Sequence, residues 1–203
     1  MTDCQTPTEE PATESGEKSV AVLFVDIEGC TRLREDLPPK EMNELIEAYF
    51  SRFFDVVEKA GGTITNIMGD GFMAIFEKSE YRDNILGAAE AASSIQRQAR
   101  ELNAQRPGEY EPVLVNAGVH AGSAYVGFTK FRTLAREHRT YAASGPVTNL
   151  AARLCDLATN GSIFVGAEVA EHLKGTGYSL QQLGPKKLKN VSQSVNVFKL
   201  EDK

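Results

Sequence analysis

The chain has 203 residues, 41% of them hydrophobic and 25% charged, enough to bury one core and build a single domain. Its formal net charge of −6 supplies no positive field for a nucleic-acid backbone, which argues against nucleic acid as a partner and leaves room for a small nucleotide neutralised by metal. Three cysteines, Cys4, Cys30 and Cys155, lie far apart with no CxxC pairing; this excludes a disulfide framework and a thiolate zinc site and fits the reducing cytoplasm.

Residues 1–18 are rich in Thr, Glu, Pro and Ser and poor in core formers, the composition of a disordered acidic tail, so the folded domain is placed at residues 19–203. The start has neither the basic residues nor the apolar run of a secretory signal, and no later stretch is long enough to cross a bilayer. Residues 19–25 form a nearly continuous apolar run, a buried strand that delivers Asp26 at its C-terminal edge. Over residues 38–60, Met42, Leu45, Ile46, Tyr49, Phe50, Phe53, Phe54 and Val57 recur at three-and-four spacing, which predicts a helix stopped by Gly61 and Gly62. Residues 63–68 and 72–76 are β-rich runs joined by Gly69-Asp70-Gly71, a hairpin with Asp70 at its tip.

A second helix is predicted over residues 83–102 from the stripe that includes Ile85, Ala88, Ala92 and Ile95. Residues 113–120 and 124–128 read as strands about Ala121-Gly122-Ser123, a second hairpin, followed by a long connection over 128–140. A helix at 147–158, a strand at 163–165, a short helix at 167–173 and strands at 178–183 and 195–200 close the chain. This order predicts an α+β domain of ferredoxin-like type, βαββαβ with extra C-terminal strands and helices, in which a sheet carries helices on one face.

Two carboxylates at neighbouring strand ends suit a pair of divalent cations, which take hard oxygen ligands and leave the rest of their shells to substrate phosphates and water. Each aspartate alone fits an ordinary turn as well. Asn149 and Arg153 stand four apart and project from one face of their predicted helix. Gly29 permits close backbone approach to an anion. His120, His138 and His172 are scattered without metal-ligand spacing.

The runs Phe24-Val25-Asp26-Ile27-Glu28-Gly29-Cys30-Thr31, Met68-Gly69-Asp70-Gly71-Phe72-Met73-Ala74-Ile75-Phe76 and Asn149-Leu150-Ala151-Ala152-Arg153-Leu154 together resemble the class III adenylyl and guanylyl cyclases, over about residues 20–200. The resemblance implies a metal-dependent nucleotidyl cyclase that joins the 3′-hydroxyl of a nucleoside triphosphate to its own α-phosphate, using two divalent ions, Mn²⁺ or Mg²⁺. It implies metal ligation by Asp26, Asp70 and the backbone carbonyl of Ile27, and substrate contacts along Phe24, Gly29, Cys30 and Thr31. Asn149 would orient the ribose and Arg153 would stabilise the charged transition state, a role that suits its planar, permanently charged fork. Lys189 resembles a phosphate-contacting lysine, with Asn190 replacing the glycine usual in the family. A homodimer is also implied, each site taking its metal aspartates from one subunit and Asn149 and Arg153 from the other.

Purine recognition in the family relies on Lys or Glu four residues before the second metal aspartate and on Asp or Thr ahead of the catalytic helix; here those positions hold Asn66 and Ala142. A methyl group can neither donate nor accept, whereas Asn66 offers one donor and one acceptor to the mixed edge of uracil or cytosine. With these changes and an arginine-bearing connection (Arg132, Arg136, Arg139), the chain resembles the pyrimidine nucleotide cyclases of the bacterial Pycsar anti-phage defence. That resemblance implies UTP, then CTP, as substrate, a cyclic pyrimidine nucleotide as product and a separate effector protein as its receiver. Tyr49 is the candidate wall of the base pocket, its spacing fitting a core aromatic equally. The alternatives are an adenylyl cyclase with an atypical base pocket and a non-catalytic nucleotide-binding module; retention of Asp26, Asp70, Asn149 and Arg153 weighs against the second.

Overall fold

The computed structural model describes residues 15–106, 111–133 and 136–201, apart from the side chains of Thr31 and Arg32. Among them the chain runs β1 (Gly16–Glu28), α1 (Cys30–Asp36), α2 (Pro39–Lys59), β2 (Thr63–Met68), β3 (Gly71–Phe76), α3 (Tyr81–Gln105), β4 (Leu114–Arg132), β5 (Glu137–Ser144), α4 (Pro146–Leu157), β6 (Ile163–Gly166), α5 (Ala167–Leu173), β7 (Ser179–Lys186) and β8 (Val195–Glu201). The α+β expectation holds, and the strands join in one sheet of order β2-β3-β1-β4-β6-β8-β7, with β5 paired to β4 outside that path. β4 is the spine of this sheet. One edge pairs with β1 from Leu114 to Val126, while the other is divided between β6, at Ala117 to Val119, and β5, at Tyr125 to Arg132.

Side chains alternate across a strand, and β1 shows what each face does. Ala21, Leu23, Val25 and Ile27 enter the larger core with α2, α3 and α5, meeting Leu45, Phe53, Ile85 and Val169. Val20 and Val22 enter a smaller core with Met73, Val126, Ala143 and the α4 residues Val147 and Ala151. Helices therefore cover both faces, which corrects the one-face expectation: α2, α3 and α5 lie on one, α4 on the other. α4 comes down onto β4 because Gly118 has no side chain; a Cβ there would stand 2.3 Å from the Ala151 carbonyl oxygen and 2.3 Å from the Cys155 nitrogen.

Three local expectations also change. β1 begins at Gly16, ahead of the expected boundary at Ser19, and continues through Asp26 to Glu28; residues 1–14 of the expected tail lie outside the described residues. The hairpin expected about Ala121-Gly122-Ser123 is absent, because β1 pairs Ala21, Val20 and Ser19 with those three residues and holds β4 extended through them. The hairpin partner is instead β5, inside what reads as a connection, and α1 occupies a segment with no helical periodicity to announce it.

Candidate active site

β1 and β3 pair Asp26 with Gly71, so the strand that carries one carboxylate meets the β2–β3 turn that carries the other. That turn is Gly69-Asp70, with Gly69 at φ +67, as a type II′ hairpin requires at its first position. The Ile27 N–H donates to the Asp70 carbonyl at 3.0 Å and fixes the turn against β1. Gly71 is dictated by the same closeness, since a Cβ would lie 2.7 Å from the Val25 carbonyl oxygen and 3.1 Å from Asp26 Oδ1.

Asp26 is exposed as a residue, yet its carboxyl is hemmed on its inner side by protein. That desolvation, then the charge of Asp70, then that of Asp156, pushes it up to about 6. Two carboxylates held together at such a cost fit hard divalent ions. No group of three Asp, Glu, His or Cys side chains that could hold a metal exists among the described residues, so water and a bound phosphate would complete the coordination.

A stability prediction follows with a definite sign. A carboxyl raised in the folded state favours folding fully below its unfolded value near 3.8, and that contribution is lost as pH rises through about 6. Discounted for the exposure of Asp26, the effect is about 1 kcal/mol. Asp26→Asn should therefore raise the melting temperature of the metal-free protein at pH 7 by about 2–4 °C and leave it unchanged at pH 4. Thermal melts at the two pH values check this, and an Asn variant that melts lower at pH 7 contradicts the electrostatic account.

The neighbouring residues divide by where their side chains go. Gly29 caps α1 at φ +70, and nothing lies within 4 Å of where its Cβ would be, so the backbone there faces open space. Cys30, expected to touch substrate, instead turns its thiol into the larger core, where burial and then the charge and hydrogen bond of Asp70 push it up to about 11. It supports Asp70 and offers at most its backbone to a ligand. Thr31 lies in the first turn of α1, its side chain outside the described residues. Glu28, which sequence reasoning passed over, accepts hydrogen bonds from Asn116 Nδ2 at 3.1 Å and from the Gly161 N–H at 3.3 Å, tying the end of β1 to the turn before β6.

Across the sheet, Asn66 pairs with Met73 and Met73 with Phe24, so these three form one row on the face that bears Asp26. Asn66 is exposed and Phe24 half-buried. Tyr49 is a correction: its ring is fully buried on the opposite face and its hydroxyl donates to Asn103 Oδ1 at 2.8 Å, so it walls no pocket on the carboxylate face.

Ala142 belongs to β5 and pairs with Gly127, eleven residues along β4 from Asn116, the partner of Asp26; β5 nevertheless turns back toward β2, and Tyr141 packs against the smaller core beside Phe24 and Met73. Lys189 is exposed in the β7–β8 connection, in a turn closed by the Val191 N–H on the Leu188 carbonyl at 3.2 Å. Asn190 takes φ +60 there, the left-handed conformation that Asn tolerates better than most residues, which accounts for an Asn where a glycine is usual. Asn149 is exposed on α4, one turn before Arg153, whose Nη1 donates to Asp156 Oδ2 at 2.5 Å.

Residues 13–202 match the family model described as the adenylate and guanylate cyclase catalytic domain. An uncharacterized protein of Mycobacterium tuberculosis is 31% identical over 150 residues, 74% of this chain and 26% of that protein. The chain thus spans about a quarter of the length of the curated relatives it matches. The adenylyl cyclase CyaB from P. aeruginosa superposes with a TM-score of 0.83 at 25% identity, over 94% of this chain and 97% of that one. The guanylyl cyclase Cya2 does so with a TM-score of 0.79 at 27% identity, over 93% and 95%.

Proposed function

Since the chain belongs to the adenylate and guanylate cyclase catalytic domain family, we propose that it is a metal-dependent cyclase that converts a pyrimidine ribonucleoside triphosphate, UTP before CTP, to the 3′,5′-cyclic nucleotide and pyrophosphate. The observation that carries the choice of base is the row Asn66–Met73–Phe24, which sets a short amide two residues along the sheet from Asp26, where the family's purine enzymes use Lys or Glu. An amide there can donate to a base carbonyl and accept from a base N–H or amino group. The product would serve as a second messenger for anti-phage defence, read by a separate effector.

In this reading Asp26, Asp70 and the Ile27 carbonyl hold two divalent ions, Mn²⁺ or Mg²⁺. Bound there, the ions supply Lewis-acid help to the 3′-hydroxyl and neutralise the triphosphate. The open backbone at Gly29 lets phosphate oxygens approach the start of α1. The 3′-oxygen attacks the α-phosphorus, the bond to the β-phosphate oxygen breaks, pyrophosphate leaves, and the hydroxyl proton passes to solvent. Arg153 of the partner subunit meets the charge that builds on the α-phosphoryl oxygens, Asn149 of the partner subunit holds the ribose, and Lys189 of the partner subunit meets the phosphates.

Adenylyl cyclase activity is the second reading, favoured by the likeness to CyaB. The purified chain with Mn²⁺ is given each ribonucleoside triphosphate in turn and the products are identified by mass. Cyclic UMP should dominate, with cyclic CMP next. Cyclic AMP as the main product overturns the pyrimidine assignment, and no cyclic product from any of the four favours a binding module.

A further inference from the structure

Building on the shared-site reading, we propose that Asp156 is a positioning residue that couples the two active sites: it holds Arg153 of its own chain until cations on Asp26 and Asp70 draw its charge away and free Arg153 for the partner's substrate. The geometry begins with α4. Its last turn descends onto β4 where Cys155 Sγ donates to the Asn116 carbonyl at 3.7 Å, and Asn116 is the register partner of Asp26. The carboxylate of Asp156 therefore stands at the metal end of its own subunit, near enough for its charge and that of Asp26 both to act on the Cys155 thiol.

Arg153 is held at this same end. Its guanidinium donates to Asp156 one turn on, at 2.5 Å, although the shared-site reading needs it at the partner's substrate. Three carboxylates, Asp26, Asp70 and Asp156, thus gather at this end with the Arg153 cation fastened to one of them; Arg34 on α1 adds a second positive charge near Cys30. The side chains of Arg153 and Asp156 are 32% and 61% exposed, and a pair this open to water exchanges partners easily. Dications at Asp26 and Asp70 turn the charge there from negative to positive, which attracts Asp156 and repels the Arg153 guanidinium. Occupation of one site then releases the arginine that serves the other, and by linkage release of the arginine strengthens cation binding.

The test uses the full chain, labelled with ¹⁵N at arginine and at backbone amides, titrated with Mg²⁺ in the absence of nucleotide. The Nε–H signal of Arg153 is identified by its loss in Arg153→Lys. It should move with Mg²⁺ in the parent, stand at the Mg²⁺-saturated position from the outset in Asp156→Asn, and move again in Asp156→Glu. The amide of Ile27 reports affinity: Arg153→Ala should tighten Mg²⁺ binding about fivefold in the parent and less than about 1.5-fold in the Asp156→Asn background. An Arg153 signal indifferent to Mg²⁺ overturns the proposal, as does an equal gain in both backgrounds. No turnover is read, so failure here is separate from failure of the triphosphate assay.

Discussion

Chains bearing Asp26→Ala and chains bearing Arg153→Ala, each about a thousandfold or more below the parent in cyclic nucleotide synthesis, regain about a quarter of parental activity when mixed in equal amounts. The figure follows from symmetry. Random pairing makes half of all dimers mixed, and a mixed dimer has one site with both changes and one with neither. Sharing is what membership of the cyclase family implies, and within one chain Arg153 is engaged by Asp156. A mixture that stays at the level of either variant alone sinks the shared site. Size-exclusion chromatography of the mixture must show dimers for that outcome to count.

Gly118→Ala is the substitution with the largest expected effect on stability, about 3 kcal/mol, or a fall in melting temperature of about 10 °C. The added methyl would meet backbone atoms of α4, Ala151 O and Cys155 N, each at 2.3 Å, and neither is the flexible end of a side chain that could swing away. α4 must rise as a body, which strips Ala151 and Leu154 from their cores. Gly122→Ala, four residues on in the same strand, is the control: its Cβ would meet Val147 at 3.7 Å, an ordinary contact, and should change stability by less than about 1 kcal/mol. Equal melting of the two variants would mean that the helix does not rest on Gly118.

Short-range chemistry was legible and long-range pairing was not. Apolar spacing from Met42 to Val57 located α2 to within a residue at each end, because helical periodicity is written in the sequence itself. Gly69-Asp70 announced the β2–β3 hairpin for the same reason. β4 failed the other way: Ala121-Gly122-Ser123 has turn chemistry, and only its pairing with β1, a hundred residues away, keeps it extended. The β5 strand was hidden by its exposed, charged composition, as expected of a strand paired along one edge outside the sheet's main path.

At the candidate site, motif residues showed which chemistry to look for but not how its parts are held. Asp26 and Asp70 meet because Gly71 leaves no side chain between them, a reason invisible without the β1–β3 register. Tyr49 and Cys30 misled because spacing and adjacency do not say which way a side chain turns; both point into the core on the face away from α4. Asp156 and Glu28 carried no signal, since one more acid in a chain with 28 of them stands out only when its neighbours are known.

The hold of Asp156 on Arg153 of its own chain, while the shared site needs that arginine in the partner, has a consequence for dosage. If each chain holds two half-sites that only a partner completes, output at low abundance depends on encounters and grows with the square of copy number, becoming linear only once pairing saturates. Such a chain is silent as a trace contaminant of its own expression and abrupt once abundant. A cell would then set the threshold of its signal by how much of the chain it makes, without a separate inhibitor.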